Sequence, residues 1–294
     1  MTLTQDNDIS KLSLSRYICN HGMIAFYVAR YNRIKQCLED KTTPVYLHFV
    51  AYIATTLTTF MKLFQKDKPL VHILYDKVNE VMRTCLRMFL KAEVIREKEG
   101  AELHAIDCDK GDNWLQSRDM EIGSGTKCAL AVLSDVKKKT VRMDMRKSIK
   151  VMGKYLKDHL PLRNAILRDL QCLHPVARKA NTERSCIGRL CNHLQKVTKT
   201  DEYCDHVCSE WLLYSTDSAL DSQSDTSNAC QDICVYWQHV STMVDSAGEK
   251  KYEHLGYIAK AALMSHGNAA AERGFSVNNA LVTQGKVLWL KEAL

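Results

Sequence analysis

The chain is 294 residues long, 46% hydrophobic and 26% charged, which fits a globular protein and excludes a disordered one. Four prolines and twelve glycines are too few for the many tight turns of a sandwich or barrel, so a helix-rich fold is expected. A net charge of +7 permits contact with nucleic acid or acidic lipid without requiring it.

The first residues, MTLTQDNDISKLSLSR, are polar and hold no apolar signal core, so the twelve cysteines read as reduced thiols inside a cell. A first helix is expected over 12–38. Thr42-Thr43-Pro44 supplies an N-cap and a first-turn proline, opening a helix to about Phe64. Within it, LHFVAYIATTLTTFMKLF (47–64) has about the length of a membrane span. It carries four threonines, His48 and Lys62, and reads as a buried core helix with no membrane partner. Asp67-Lys68-Pro69 repeats the opening device for a helix to about Leu90, in which Leu70, Ile73, Leu74, Val78, Val81 and Cys85 recur at helical steps. Connections of about five residues predict antiparallel neighbours here.

KEGAELHAIDCDKGDNWLQSRDM (98–120) reads as a polar crossing loop, with a short helix after Gly125 and a long one over 136–162, closed by Pro161. Further helices are expected over 163–173 and 183–213. YSTDSALDSQSDTSNACQD (214–232) is rich in Ser and Asp and reads as a flexible linker. Three short helices follow, in CVYWQHVSTMV, HLGYIAKAALMS and NAAAERGFSVNNALV. No run alternates long enough to build a strand, so the expected fold class is mainly α with little or no β-sheet.

Two constellations invite a chemical reading. The long helix carries Lys139, Arg142, Arg146, Lys150, Lys154 and Lys157, a stripe that could track a DNA phosphate backbone. The bland alternative is a solvated face whose apolar side (Val141, Met145, Ile149, Met152, Leu156) packs inward; Tyr155 is the sole aromatic there for base stacking. Cys204 and Cys208, with His206 between, and Cys230 with Cys234 have a spacing zinc sites use. Neither pair has a turn-forming glycine, and four apart on a helix is ordinary core spacing, so zinc is not expected. No phosphate-binding glycine loop, nucleophile elbow or HExxH pattern occurs, and the eleven histidines are scattered.

Near the end, Ala269, Ala270 and Ala271 run into Glu272-Arg273, then Phe275-Ser276. This stretch resembles the signature of the C-terminal dimerisation region of hAT-superfamily DNA transposases. Upstream pieces occur in the matching order: Tyr236-Trp237, the helix from Tyr252 to Leu263, and KLFQKDKPLVHILYDKV (62–78), which is similar to the family's helical insert. The resemblance implies a helical insertion-like domain at 1–213, the linker at 214–232, and part of an RNase H-like dimerisation region at 233–294. It implies that Glu272 is the third of three metal-binding acids, with Tyr236, Trp237, Ala271, Arg273, Phe275 and Ser276 forming the dimerisation and core signature.

LSLSRYI (12–18) is similar to the tail of a family motif whose arginine and tryptophan positions here read Ser10 and Lys11, and the strands bearing the first two acids have no counterpart. A lone carboxylate cannot hold two metal ions. The expectation is therefore a nuclear, transposase-derived protein that is not itself an enzyme and binds no cofactor. Its partners would be a second copy or a related hAT-type chain, with DNA a further candidate. The alternatives are a subunit whose Mg2+ or Mn2+ site is completed by a partner chain, and a non-functional fragment.

Overall fold

The computed structural model describes residues 27–65, 68–179, 183–194, 200–221 and 232–264. Among these the fold is mainly helical, with no strands and two isolated bridges, Leu90 with Trp114 and Val244 with Lys250. The helices are α1 (27–39), α2 (Thr43–Phe64), α3 (Val71–Arg87), α4 (Ala92–Ile95), α5 (Gly100–Ala105), α6 (Ser124–Ala131) and α7 (Asp135–His159). After them come α8 (Ala165–Asp169), α9 (Glu183–His193), α10 (Asp201–Thr216), α11 (Ile233–Thr242) and α12 (Glu253–Met264). Short 3-10 turns fill some of the links, as at Leu170–Leu173 and Ser218–Leu220. The chain divides into two units, 27–55 with 116–148, and 56–115 with 149–264.

In the first unit, Val45 and Phe49 of α2 are buried, as are Ile122, Leu130, Val141 and Met145 from the later segment. Gly123 sits at φ +80, and a Cβ there would come within 2.7 Å of the Tyr52 ring, so this turn into α6 admits glycine alone. Tyr46 donates its hydroxyl to Asp144 of α7 at 3.1 Å. The apolar side expected for α7 is found: Val141, Met145 and Ile149 are buried, and Met152 and Leu156 are half-buried.

The second unit is built on aromatics. Trp211, Tyr214, Trp237 and Tyr252 are essentially closed to solvent. Tyr214 stacks on Trp237 with ring centroids 5.3 Å apart, and its hydroxyl pairs with that of Tyr236 at 2.8 Å. The Trp237 indole N–H donates to the Leu173 carbonyl at 3.0 Å, joining α11 to the 3-10 turn. Arg178, 1% exposed, donates to the carbonyls of Tyr214 and Asp217, each at 3.0 Å, and to the Asp221 carboxylate. Asp217 accepts from Lys251 and Tyr252 at 2.7 Å; these donors hold its carboxyl down to about 2. Glu210 of α10 caps α12, accepting from the backbone N–H of His254 and of Leu255 at 3.2 and 2.7 Å.

Three expectations need correcting. Residues 98–120 are not simply a polar loop: α5 lies within them, and Leu103, Ile106, Cys108 and Met120 are buried. Gly100 begins α5 at φ +48, its N–H donating to Asn79 Oδ1 at 2.7 Å. The linker does not start at 214, because Tyr214 and Leu220 belong to the core and Asp217 anchors α12; residues 222–231 lie outside the described ones. Lastly, α2 is not a buried core helix. Val45 and Phe49 are its buried residues, while Leu47, Val50 and Met61 are 63%, 61% and 57% exposed.

Two measurements check this packing. Trp237→Ala should cost about 4 kcal/mol in urea unfolding, and Trp237→Phe, which keeps the stack but loses the N–H donor, about 1 kcal/mol plus a small cavity cost. His72 is 3% exposed, its Nδ1 has no hydrogen-bond partner, and its ring lies 5.5 Å from that of His174. Burial, aided by His174, pushes His72 down from 6.5 to about 4, and burial also lowers His174 against the pull of Asp76. A folded pKa below the unfolded one makes the stabilisation complete above pH 6.5 and removes it as pH falls toward 4. The loss from His72 is on the order of 3 kcal/mol. His72→Asn should flatten that part of the stability–pH curve.

Candidate interaction surfaces

The residues that carry the transposase resemblance fall in two groups. Ala271, Glu272, Arg273, Phe275 and Ser276 lie outside the described residues. Tyr236 and Trp237 lie in the aromatic core of the second unit, 3% and 0% exposed, with their polar atoms engaged as described. They therefore hold α11 in place and are not available as a contact surface. The same holds for most apolar positions of α12, where Leu255, Ile258, Ala259 and Ala262 are buried.

The basic stripe on α7 is largely occupied by the chain itself. Arg142 donates to the Ser117 carbonyl at 2.6 Å. Lys150 and Lys154 share the Asp109 carboxylate, and Lys150 also lies over the Trp114 ring, 5.5 Å from its centroid. Lys157 donates to the Ile106 carbonyl, and Arg146 is half-buried. Lys139 is exposed. Four of the six cations thus tie α7 to residues 106–117. Sequence showed the charges but not their partners, because the acceptors are two backbone carbonyls and a single loop carboxylate.

Cys204 and Cys208 lie one turn apart on α10 and are half-buried; Cys208 Sγ is 4.0 Å from where a Cβ on Gly188 of α9 would sit. Burial and the neighbouring Cys204 and Cys208 push the Cys191 thiol up to about 12, so it stays protonated and inert. Cys234 is exposed, beside Asp232 at the start of α11, and Cys230 lies outside the described residues. Among the described residues no three of His, Cys, Asp and Glu converge to hold a metal ion. Closest in chemistry is a Glu210–His254 pair at 2.7 Å with His206 stacked on His254 at 4.9 Å. Glu210 accepts from the His254 Nδ1, which makes this first of all a helix cap.

Among the described residues, exposed apolar side chains cluster on α1 and α2. In the first unit α1 shows Tyr27, Tyr31, Ile34 and Leu38 at 51–71% exposure, and α2 shows Leu47 and Val50 with Ala51 and Ala54 beside them, also exposed. No Asp, Glu, Lys or Arg occurs from Thr42 to Met61. By length and mean hydropathy, 1.3, α2 is also the one described helix able to cross a membrane. In the second unit a recess of about 510 Å³ opens between Thr56–Leu63 and Lys77–Thr84, floored by Phe60, Leu63 and Val81 and edged by the Lys77–Glu80 ion pair. The signal for the exposed face was in the sequence as spacing: 47, 50 and 54 repeat at three and four, on the side of α2 away from Val45 and Phe49.

The occupied stripe makes a simple forecast. Asp109→Ala should speed hydrogen exchange of the amides at 106–114 several-fold, with the melting midpoint nearly unmoved, because the residue is exposed and its loss frees two lysines without opening the core. The chain matches no family model, no curated protein and no solved structure.

Proposed function

We propose that this chain is a helical protein derived from a hAT-type DNA transposase, acting in the nucleus by assembling with another polypeptide, a second copy of itself. The observation that supports assembly is the uncovered outer face of α2. Leu47 and Val50 stand in solvent with Ala51 and Ala54 beside them, and the face carries no charge. Fully burying a leucine or valine contributes about 1.5–3 kcal/mol each, and small residues let two helices approach closely. A face without charge has nothing to repel its own copy.

The transposase origin is supported by the order of Tyr236-Trp237, the 252–263 segment and Ala271-Glu272-Arg273 with Phe275-Ser276 along the chain. On this reading Glu272 is a relic. One carboxylate gives no two-metal site, so the chain does not cut DNA alone. Association with DNA, if it accompanies assembly, has few free cations on α7 to draw on, and its salt dependence is correspondingly shallow.

Sedimentation at a series of concentrations up to about 100 µM tests the assembly reading. A dimer is expected, reduced to monomer by the double change Leu47→Asp and Val50→Asp with helical content unchanged, since both side chains are exposed. A wild-type chain that stays monomeric throughout, or one that floats with lipid vesicles and not with itself, overturns it.

A further inference from the structure

The described part of α1, residues 27–39, is exposed at every position. Tyr27, Tyr31, Ile34 and Leu38 are 59%, 64%, 51% and 71% exposed. Their steps of four, three and four are those of a heptad seam, and at about 100° per residue they fall within about 60° of one another. Arg30 borders this seam on one side and Lys35 on the other, with Arg33 behind Arg30. Arg30, Arg33, Ile34, Cys37 and Leu38 line a shallow recess of about 480 Å³. Lys35 meets Glu39 only at 4.0 Å, and Asp40 is turned to Lys137. Among the described residues Arg30 and Arg33 face no carboxylate.

We infer that α1 is a docking seam for an acidic amphipathic helix of another protein, whose apolar stripe covers Tyr27, Tyr31, Ile34 and Leu38 and whose flanking carboxylates meet Arg30 and Lys35. Three alternatives fit less well. A second copy would bring Arg30, Arg33 and Lys35 against the same cations, which charges flanking a helical seam disfavour. An anionic lipid surface is served by an unbroken apolar face of 100° or more; Val28, 51% exposed, widens the face of α1 to about 120°, but Lys35 interrupts it between Tyr31 and Val28. A core role is excluded by the exposure itself. The seam is separate from the uncharged α2 face, so it stands or falls independently of self-assembly.

The test uses the full chain and a dye-labelled peptide of three heptads with Leu at both seam positions and Glu at the flanking ones, whose charges keep it from pairing with itself. Fluorescence anisotropy should report binding that weakens as salt is raised. Ile34→Asp should abolish it, and the double change Arg30→Glu with Lys35→Glu should weaken it about tenfold or more. A peptide with Lys in place of the flanking Glu should then prefer that charge-reversed chain to the wild type, a reversal that misfolding would not produce. The Leu47→Asp, Val50→Asp chain should still bind the acidic peptide. Equal binding of acidic and basic peptides by the wild type overturns the inference. So does charge reversal without effect, or binding to phosphatidylserine-containing vesicles in place of the peptide.

Discussion

The second unit depends on a buried guanidinium. Arg178, on the short turn before α9, reaches the carbonyls that end α10 and begin the next turn, and then Asp221. A cation at 1% exposure is tolerable because its two terminal nitrogens are met by oxygens fixed in place, although its Nε is buried without a hydrogen-bond acceptor. In return it fixes the exit of α10, and this presents Asp217 to Lys251 and Tyr252 at the entry to α12. The Tyr214–Trp237 stack and the Tyr214–Tyr236 hydroxyl pair lie on the same helix end that the arginine holds. Position along the chain is thus converted into proximity by one charged group, and the aromatic surface contributes the larger share of the free energy.

Much of the helical layout was legible in the sequence. Pro44 lies in the first turn of α2 as expected, α2 ends at Phe64, and the run predicted for 136–162 is α7 at 135–159. The inward side of α7 was legible because Val141, Met145 and Ile149 repeat at the helical period. Where polar and apolar residues mix without a period, reading failed. In 98–120 the buried Leu103, Ile106, Cys108 and Met120 follow no repeat, and the short α5 is set by a left-handed Gly100 and by Asn79, whose partnership is 21 residues long-range. The Ser- and Asp-rich composition after Tyr214 hid two core anchors for the same reason.

The candidate surfaces were less legible than the fold. Hydropathy reports that α2 is apolar but not whether anything covers it. Covering is decided by elements distant in sequence, and these bury Val45 and Phe49 only. For the basic stripe the sequence gives the charge and omits the acceptor. Lys157 and Arg142 are satisfied by carbonyls that any residue type could offer, so no residue pattern could have pointed to Ile106 or Ser117. Tyr236 and Trp237, which carry part of the family resemblance, have an interior place.

An uncharged helical face turned to water has a consequence beyond binding. Chaperones and proteases recognise such surfaces in newly made chains, and the fraction of time the face spends uncovered sets how often they act. With Leu47 and Val50 open on α2, the cellular lifetime of this protein is tied to the supply of whatever conceals them. Its abundance would then follow its companion's synthesis more closely than its own.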